Sequence, residues 1–228
     1  MATELKETVS KTTICFIAGF ATAAAAYGCY KLYKHLASED EYFENVHHSK
    51  DPPNKRILVL GLDGAGKTRF VNCFRRGRRY SDVNLCMEPT VGFNVRTINL
   101  GTAIFDIWDV GGSESCRKYW KEFIRDIDVI VWTVDASNPV RLPESRQNLH
   151  ILLEDRKTRG VPVLIVATKQ DTTNPMTPEE ILEEMRIERF RSTHEIEAIG
   201  TRIPLWHGER KGINAAFRHI SCMRPKAN

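Results

Sequence analysis

No C-x-x-C pair, no regular cysteine ladder and no large excess of either charge occur in the 228 residues of this chain. Its six cysteines, Cys15, Cys29, Cys73, Cys86, Cys116 and Cys222, are too scattered for a disulfide framework and read as reduced thiols in a cytosol-facing protein. Lys and Arg number 33 against 29 Asp and Glu, and the net of +4 is too small for a dedicated nucleic-acid binder. A membrane surface or an anionic ligand remains compatible with it. Internal repeats are also missing, and the composition lies far from that of low-complexity or collagen-like chains, which excludes wholesale disorder. What is present, 42% hydrophobic, 27% charged and 9% aromatic residues, is average for a folded protein, and the length admits one full domain plus an extension or two small domains.

Long uncharged runs are absent with one exception. Thr12 to Tyr30 holds 19 residues without a charge, between Lys11 and the pair Lys31 and Lys34. As a helix this run would span about 28 Å, close to the roughly 30 Å of a bilayer's hydrocarbon core. Ala and Thr dominate it, with Ile14, Phe16, Ile17 and Phe20 as the strongly apolar side chains. The expectation is an uncleaved, single-pass transmembrane helix over 12–30, behind a tail at 1–11. Two rivals are a cleaved signal peptide and a soluble core helix. Secretion would take the domain away from the nucleotide that the motifs below require, and a core helix would not be apolar on every side. Residues 31–54 read as a linker, with an acidic run (Glu39, Asp40, Glu41, Glu44) and a closing Asp51-Pro52-Pro53 that neither helix nor strand crosses easily. His47 and His48 lack further ligands at metal spacing and read as solvated linker residues.

From Lys55 the pattern alternates. Ile57 to Leu60 is a short apolar run that meets Gly61-Leu62-Asp63-Gly64-Ala65-Gly66-Lys67-Thr68, after which Phe70, Val71 and Phe74 recur at helical spacing. Strand runs follow at Val91 to Leu100, Ile104 to Val110, Val129 to Val134 and Val161 to Ala167. Helical patterns fall at Leu142 to Asp155, Pro178 to Met185 and Ile213 to Met223. Strands apolar on both faces and separated by helices predict an α/β fold, a mostly parallel sheet covered on both sides. Asn99-Leu100-Gly101 is too short for a helical crossover, so the first pair after the loop is an antiparallel hairpin.

The glycine loop satisfies G-x-x-x-x-G-K-[ST] between a strand and a helix. Its backbone N–H groups, from Gly61, Asp63, Gly64, Ala65 and Gly66, converge on phosphates at a helix N-terminus. Lys67 reaches the β- and γ-phosphates, and the Thr68 hydroxyl ligates Mg²⁺. Asp109-Val110-Gly111-Gly112 closes an apolar strand, where a second carboxylate is needed to hold Mg²⁺ and Gly112 can donate its N–H to the γ-phosphate. Thr168-Lys169-Gln170-Asp171 follows another apolar run. There the Asp171 carboxylate can accept from N1–H and the amino group of guanine, a donor pair that adenine lacks, with the Lys169 stem over the base.

These stretches in this order resemble the Arf and Arf-like branch of Ras-fold small GTPases over roughly Lys55 to Met223. The matching segments are GLDGAGKT at Gly61 to Thr68, PTVGFN at Pro89 to Asn94, IWDVGG at Ile107 to Gly112 and ATKQD at Ala167 to Asp171. The resemblance implies a P-loop NTPase fold with a six-stranded sheet carrying one antiparallel strand, a GTPase domain over 55–223 and a tail at 224–228. It also implies that Thr90 closes over Mg²⁺ and the γ-phosphate, that Pro89 to Asn94 and Gly111 to Phe123 are the switches, and that Phe93, Trp108 and Phe123 receive protein effectors.

Departures from the family pattern are informative. Ser113 stands where most members have Gln after the double glycine, and Ser is too short to orient an attacking water, so hydrolysis should be slow; Glu114 is a possible substitute. Thr168 replaces the usual Asn, and Gly200 and Thr201 fall where Ser-Ala or Cys-Ala would meet the guanine carbonyl. The chain begins Met1-Ala2-Thr3, without the glycine that myristoylation requires, and offers Thr12 to Tyr30 instead. Together with Gly-Gly-Ser and with Arg141-Leu142-Pro143, this resembles the membrane-anchored Arf-like subgroup nine and ten. Arg69, Arg75, Arg76, Arg78 and Arg79 crowd the first helix and its following loop, as a solvated face or one toward anionic headgroups. Two functions stay open: a membrane-tethered switch reset by hydrolysis, on the mitochondrial outer membrane or the endoplasmic reticulum with its GTPase domain in the cytosol, and a GTP-holding scaffold with negligible GTPase activity.

Overall fold

The computed structural model describes Tyr27 and residues 54–74, 88–99, 104–203 and 210–226. The chain divides into two compact units, Met1–His48 and Ser49–Asn228. In the first, Tyr27 is helical and exposed. The rest of the expected 12–30 anchor, the 31–54 linker up to residue 53 and the arginines at 75–79 lie outside the described residues. Among the described residues no helix is long and apolar enough to cross a membrane.

The second unit is built on β1 (Asn54–Gly61), α1 (Lys67–Asn72), β2 (Phe93–Asn99), β3 (Ile104–Val110), α2 (Glu114–Arg117), β4 (Val129–Asp135), α3 (Leu142–Leu153), β5 (Val163–Thr168), α4 (Pro178–Met185), β6 (Ile196–Gly200) and α5 (Ile213–Cys222). The sheet order is β2-β3-β1-β4-β5-β6. Every pair is parallel except β2 with β3, which run antiparallel in the register Phe93 to Val110 and Asn99 to Ile104. Both the six-stranded sheet and its single antiparallel pair match the expectation, while Val91, Val161 and the two residues after Leu153 fall just outside their elements.

Strand periodicity sorts the core into two layers. Leu58, Leu60, Ile130, Trp132, Val134, Val163 and Ile165 point to one face, where they pack with Leu149, Leu152, Ile181 and Met185 of α3 and α4. Their neighbours in sequence, including Ile57, Val59, Val131, Leu164 and Val166, are equally buried on the other face. There Phe217 of α5 meets Phe105 of β3 (ring centroids 5.0 Å) and Phe74 (5.4 Å), and Phe74 meets Phe70 of α1 at 4.7 Å.

Two local devices close the layers. Thr177 and Glu180 form a reciprocal capping box that starts α4, with Pro178 at its first position. At the far end of α5 the carbonyls of Ile220, Ser221 and Met223 all accept from Lys55 Nζ, a side chain only 2% exposed. A cation at a helix C-terminus complements the helix dipole as well as the orphan carbonyls.

Candidate functional site

The parallel strands all end at one edge of the sheet. Gly61, Val110, Asp135, Thr168 and Gly200 are the last residues of β1, β3, β4, β5 and β6, so the loops that follow them are neighbours. The glycine loop leaves β1 through Gly61 at φ +141°, where a Cβ would lie 2.3 Å from the Thr133 carbonyl oxygen. Only glycine fits that crossing. The loop then turns into α1 at Gly66, so its backbone N–H groups lie at a helix N-terminus.

Lys67 is 6% exposed and donates from Nζ to the carbonyls of Gly61 (3.0 Å) and Leu62 (2.9 Å). Burial pulls its ammonium down to about 8, against the partial compensation of Asp109 and Asp63. Next to it, three oxygens converge. Thr68 Oγ1 donates to Asp109 Oδ2 (2.6 Å) and stands 2.8 Å from Thr90 Oγ1. Asp109 is fully buried, its second oxygen Oδ1 has no hydrogen-bond partner, and burial pushes its carboxyl up despite the Thr68 hydroxyl and Lys67. A half-satisfied buried carboxylate is costly on its own. One carboxylate and two hydroxyls are a hard-oxygen set of the kind that holds Mg²⁺ through few protein ligands, and the residues present therefore fit that ion.

Gly112 presses against the glycine loop, since a Cβ there would lie 2.4 Å from the Gly61 carbonyl oxygen. Its own carbonyl accepts the Asp63 N–H at 3.2 Å. Ser113 follows as the residue before α2, with its Oγ 3.0 Å from Ser115 Oγ and its carbonyl accepting from Cys116 and Arg117 N–H. Glu114 is exposed.

At the end of β5, Thr168 is buried and its Oγ1 lies 2.8 Å from the Ala65 carbonyl and 3.0 Å from that of Val134. This hydroxyl ties the base-side loop to the glycine loop. Lys169 sits at φ +60° and pairs through Nζ with Asp135 at 2.5 Å, while Asp171 is exposed. A lysine held in the left-handed region is a strained residue that its surroundings must fix. Gly200 and Thr201 lie alongside, with Thr201 N–H donating to Ala167 O (2.8 Å) and Gln170 N–H to Thr201 O (3.2 Å). Thr201 is buried and its Oγ1 is unpartnered. The two segments expected to flank a base are thus in contact.

Phe93, Trp108 and Phe123 form one cluster at the β2–β3 edge. Phe93 stacks on Trp108 at 5.7 Å and 17°, and Phe123 meets them at 5.1 and 6.0 Å. Phe93 is half exposed, with Val91 and Val95 open to solvent beside it.

A ring of four charges has no counterpart among the sequence motifs. Arg117 and Arg141 each pair with both Asp63 and Glu144, over distances of 2.5 to 3.1 Å. Both arginines hold the Asp63 and Glu144 carboxyls below their ordinary range. Nothing in the spacing announces the ring: Arg141 and Glu144 excepted, its paired members lie 27 to 78 positions from one another.

A sheet with a single antiparallel edge, helices on both faces and a lysine-bearing glycine loop at the strand ends defines a P-loop nucleotide hydrolase of the Ras-like fold. The sequence profile of the ADP-ribosylation factor family matches residues 41–221. The chain is 34% identical over 165 residues to ADP-ribosylation factor-like protein 2 of Dictyostelium discoideum, covering 72% of this chain and 86% of that one. It is 37% identical over 139 residues to ADP-ribosylation factor-like protein alp41 of Schizosaccharomyces pombe, covering 61% and 72%. The solved structure of the small GTPase Arl6 from Trypanosoma brucei, with a bound nucleotide analogue, superposes with a TM-score of 0.64 over 74% of this chain and 95% of that one; at 24% identity this likeness speaks for the fold. The chain belongs to the ADP-ribosylation factor family and is a GTP-binding switch of the small GTPase class.

Proposed function

We propose that this chain is a membrane-tethered guanine-nucleotide switch that takes GTP and GDP with Mg²⁺, presents Phe93, Trp108 and Phe123 to protein effectors when loaded with GTP, and hydrolyses GTP slowly. The observation that carries it is the buried Asp109 carboxylate, whose free Oδ1 lies in the same cluster as Thr68 and Thr90. Thr68, Thr90 and Asp109 would hold Mg²⁺, and bound there the ion would neutralise charge on the β- and γ-phosphates. Lys67 supplies a buried cation to the same phosphates, and the N–H groups of the glycine loop orient them. Asp171 accepts from the guanine edge, Lys169 covers the base, and Gly200 and Thr201 border it. Gly112 contributes an N–H toward the γ-phosphate.

The slow step follows from Ser113, which leaves the water in line with the γ-phosphate without a long polar side chain to orient it. Its hydroxyl is engaged with Ser115, an observation that equally favours a GTP-holding scaffold with negligible turnover. Single-turnover hydrolysis on the full-length chain, run beside analysis of the copurified nucleotide, separates the two. A rate matching that of Gln-bearing relatives would refute both slow readings, and equal affinity for ATP and GTP would refute the guanine assignment. The anchor over residues 12–30 and the subgroup nine and ten placement rest on the uncharged run and on the Ser113 and Arg141-Leu142-Pro143 departures. Carbonate extraction with protease protection tests the anchor, on the mitochondrial outer membrane or the endoplasmic reticulum; release by alkali, or a protected C-terminal tag, would overturn it.

A further inference from the structure

Beside the aromatic cluster the surface is hollowed. Arg56, Trp108, Glu122, Phe123 and Arg125 line a groove of about 350 Å³. Trp108 and Phe123 are themselves members of the cluster and both meet Phe93, so the groove continues the apolar face that Phe93, Val91 and Val95 open to solvent.

The charges of the groove are unpaired. Arg56 Nη1 donates to the Arg125 carbonyl at 3.1 Å, and the Arg56 guanidinium lies over the Trp108 ring, 5.6 Å from its centroid. These two contacts hold the side chain in place while Nε and Nη2 keep their donor capacity. Asp128 accepts from the Arg56 backbone N–H at 2.8 Å, not from its guanidinium. Among the described residues no carboxylate pairs with Arg56 or Arg125, and no cation pairs with Glu122.

Two arginines against one glutamate, over an aromatic floor, define the complement. A guanidinium presents a planar fork of donors that matches a carboxylate, and one already held against a ring loses little freedom on binding. Glu122 repels a doubly charged phosphate more than it repels a single carboxylate. A flat lipid surface does not enter a recess, and the exposed Phe93 and Val91 beside it ask for apolar cover. The chemistry that fits is an acidic side chain next to an apolar one on a protein segment.

We infer that this groove is an acid-binding subsite of the effector surface: a protein partner that covers Phe93 with an apolar side chain places an Asp or Glu carboxylate between Arg56 and Arg125. The inference rests on the reading of Phe93, Trp108 and Phe123 as the effector surface and adds the partner's charge to it. Neither arginine makes a hydrogen bond or ion pair with the glycine loop or with Thr68, Thr90 and Asp109, so changing them spares nucleotide binding.

In the test, a phage-displayed library of random peptides is panned on the full-length chain loaded with Mg²⁺ and the non-hydrolysable β,γ-imido analogue of GTP. Recovered peptides should carry Asp or Glu close to an apolar residue. A synthetic copy of one of them should lose roughly tenfold in affinity with Arg125→Gln and with Arg56→Gln, the low end for a hydrogen bond to a charged group. Its binding should also weaken as salt rises. Converting the peptide's acid to its amide should cost as much on the wild type and little on the double variant. Arg125 is exposed, so its variant decides the matter even if Arg56→Gln fails to fold. Peptides that need Phe93 but lack acidic enrichment, or are indifferent to both arginines, overturn the subsite and leave the effector surface standing. Binders that survive Phe93→Ala, or no binders at all, overturn the surface with it. Basic peptides, or self-association of the chain that Arg125→Gln abolishes, give the groove to a partner of opposite charge or to a second copy and equally overturn the inference.

Discussion

Replacing Asp109 by Asn separates the cost of this carboxylate from its use. The side chain is fully buried and only one of its oxygens is bonded, to the Thr68 hydroxyl, a contact that an amide oxygen can also accept. Removing the charge therefore spares most of the local packing, and with GDP and EDTA present the Asn variant should melt within a few degrees of wild type. Mg²⁺ should then divide the two. An ion held by Asp109, Thr68 and Thr90 at a hundredfold excess over its Kd stabilises the wild-type domain by about 2.7 kcal/mol, or roughly 5–10 °C for a domain of this size, while the Asn variant should gain little. Thermal melts of both proteins with GDP, with and without millimolar MgCl₂, give all four numbers. An Asn variant that keeps the full Mg²⁺ shift, or a wild type that shows none, would refute the assignment of this cluster to the ion. A collapse of the variant in EDTA alone would show that the carboxylate holds the fold and not the metal.

Other outcomes follow from the same structure. Ser113→Gln should accelerate single-turnover hydrolysis if an unoriented water limits the rate; a slower variant would mean that another residue, such as Glu114, places the water. Lys67→Ala removes the buried cation at the loop and should weaken GDP and GTP together by a hundredfold or so, on the order of 3 kcal/mol for a charged partner lost from a buried site, measured by fluorescent titration. Phe217→Ala, which empties the contact with Phe74 and Phe105, should cost about 3–5 kcal/mol in denaturant unfolding. Burial holds His194 below its ordinary pKa, with His150 shifted the same way. Each binds its proton less readily in the folded domain than in the unfolded chain, so stability should be level above about pH 6.5 and fall as the pH drops below it, with a shallower fall in His194→Leu.

Most of the fold is legible in the sequence because it is written in local terms. Runs such as Val129 to Val134, apolar on both faces, have few fates other than a strand between two helix layers, and Pro178 to Met185 carries its capping box within its own first turn. The glycine loop is legible for a similar reason: tight turns, a lysine and a hydroxyl at fixed spacing act on one ligand from adjacent positions. Thr68, Asp109 and Thr90 are far apart in sequence, and it is the order of the family's motifs along the chain that joins them. Tertiary structure alone decides the rest. Lys55 has the look of an ordinary basic residue at the head of a strand, yet it caps a helix 165 residues away because the fold brings the end of α5 within reach of its ammonium. Thr168 belongs to the base-side motif by sequence, and the fold makes it a brace for the glycine loop through the Ala65 carbonyl. The charge ring of Asp63, Arg117, Arg141 and Glu144 has no sequence signature, since an ion pair needs proximity in space and places no constraint on spacing along the chain. Motifs that bind one ligand leave their spacing in the sequence; contacts that the fold creates between distant elements do not.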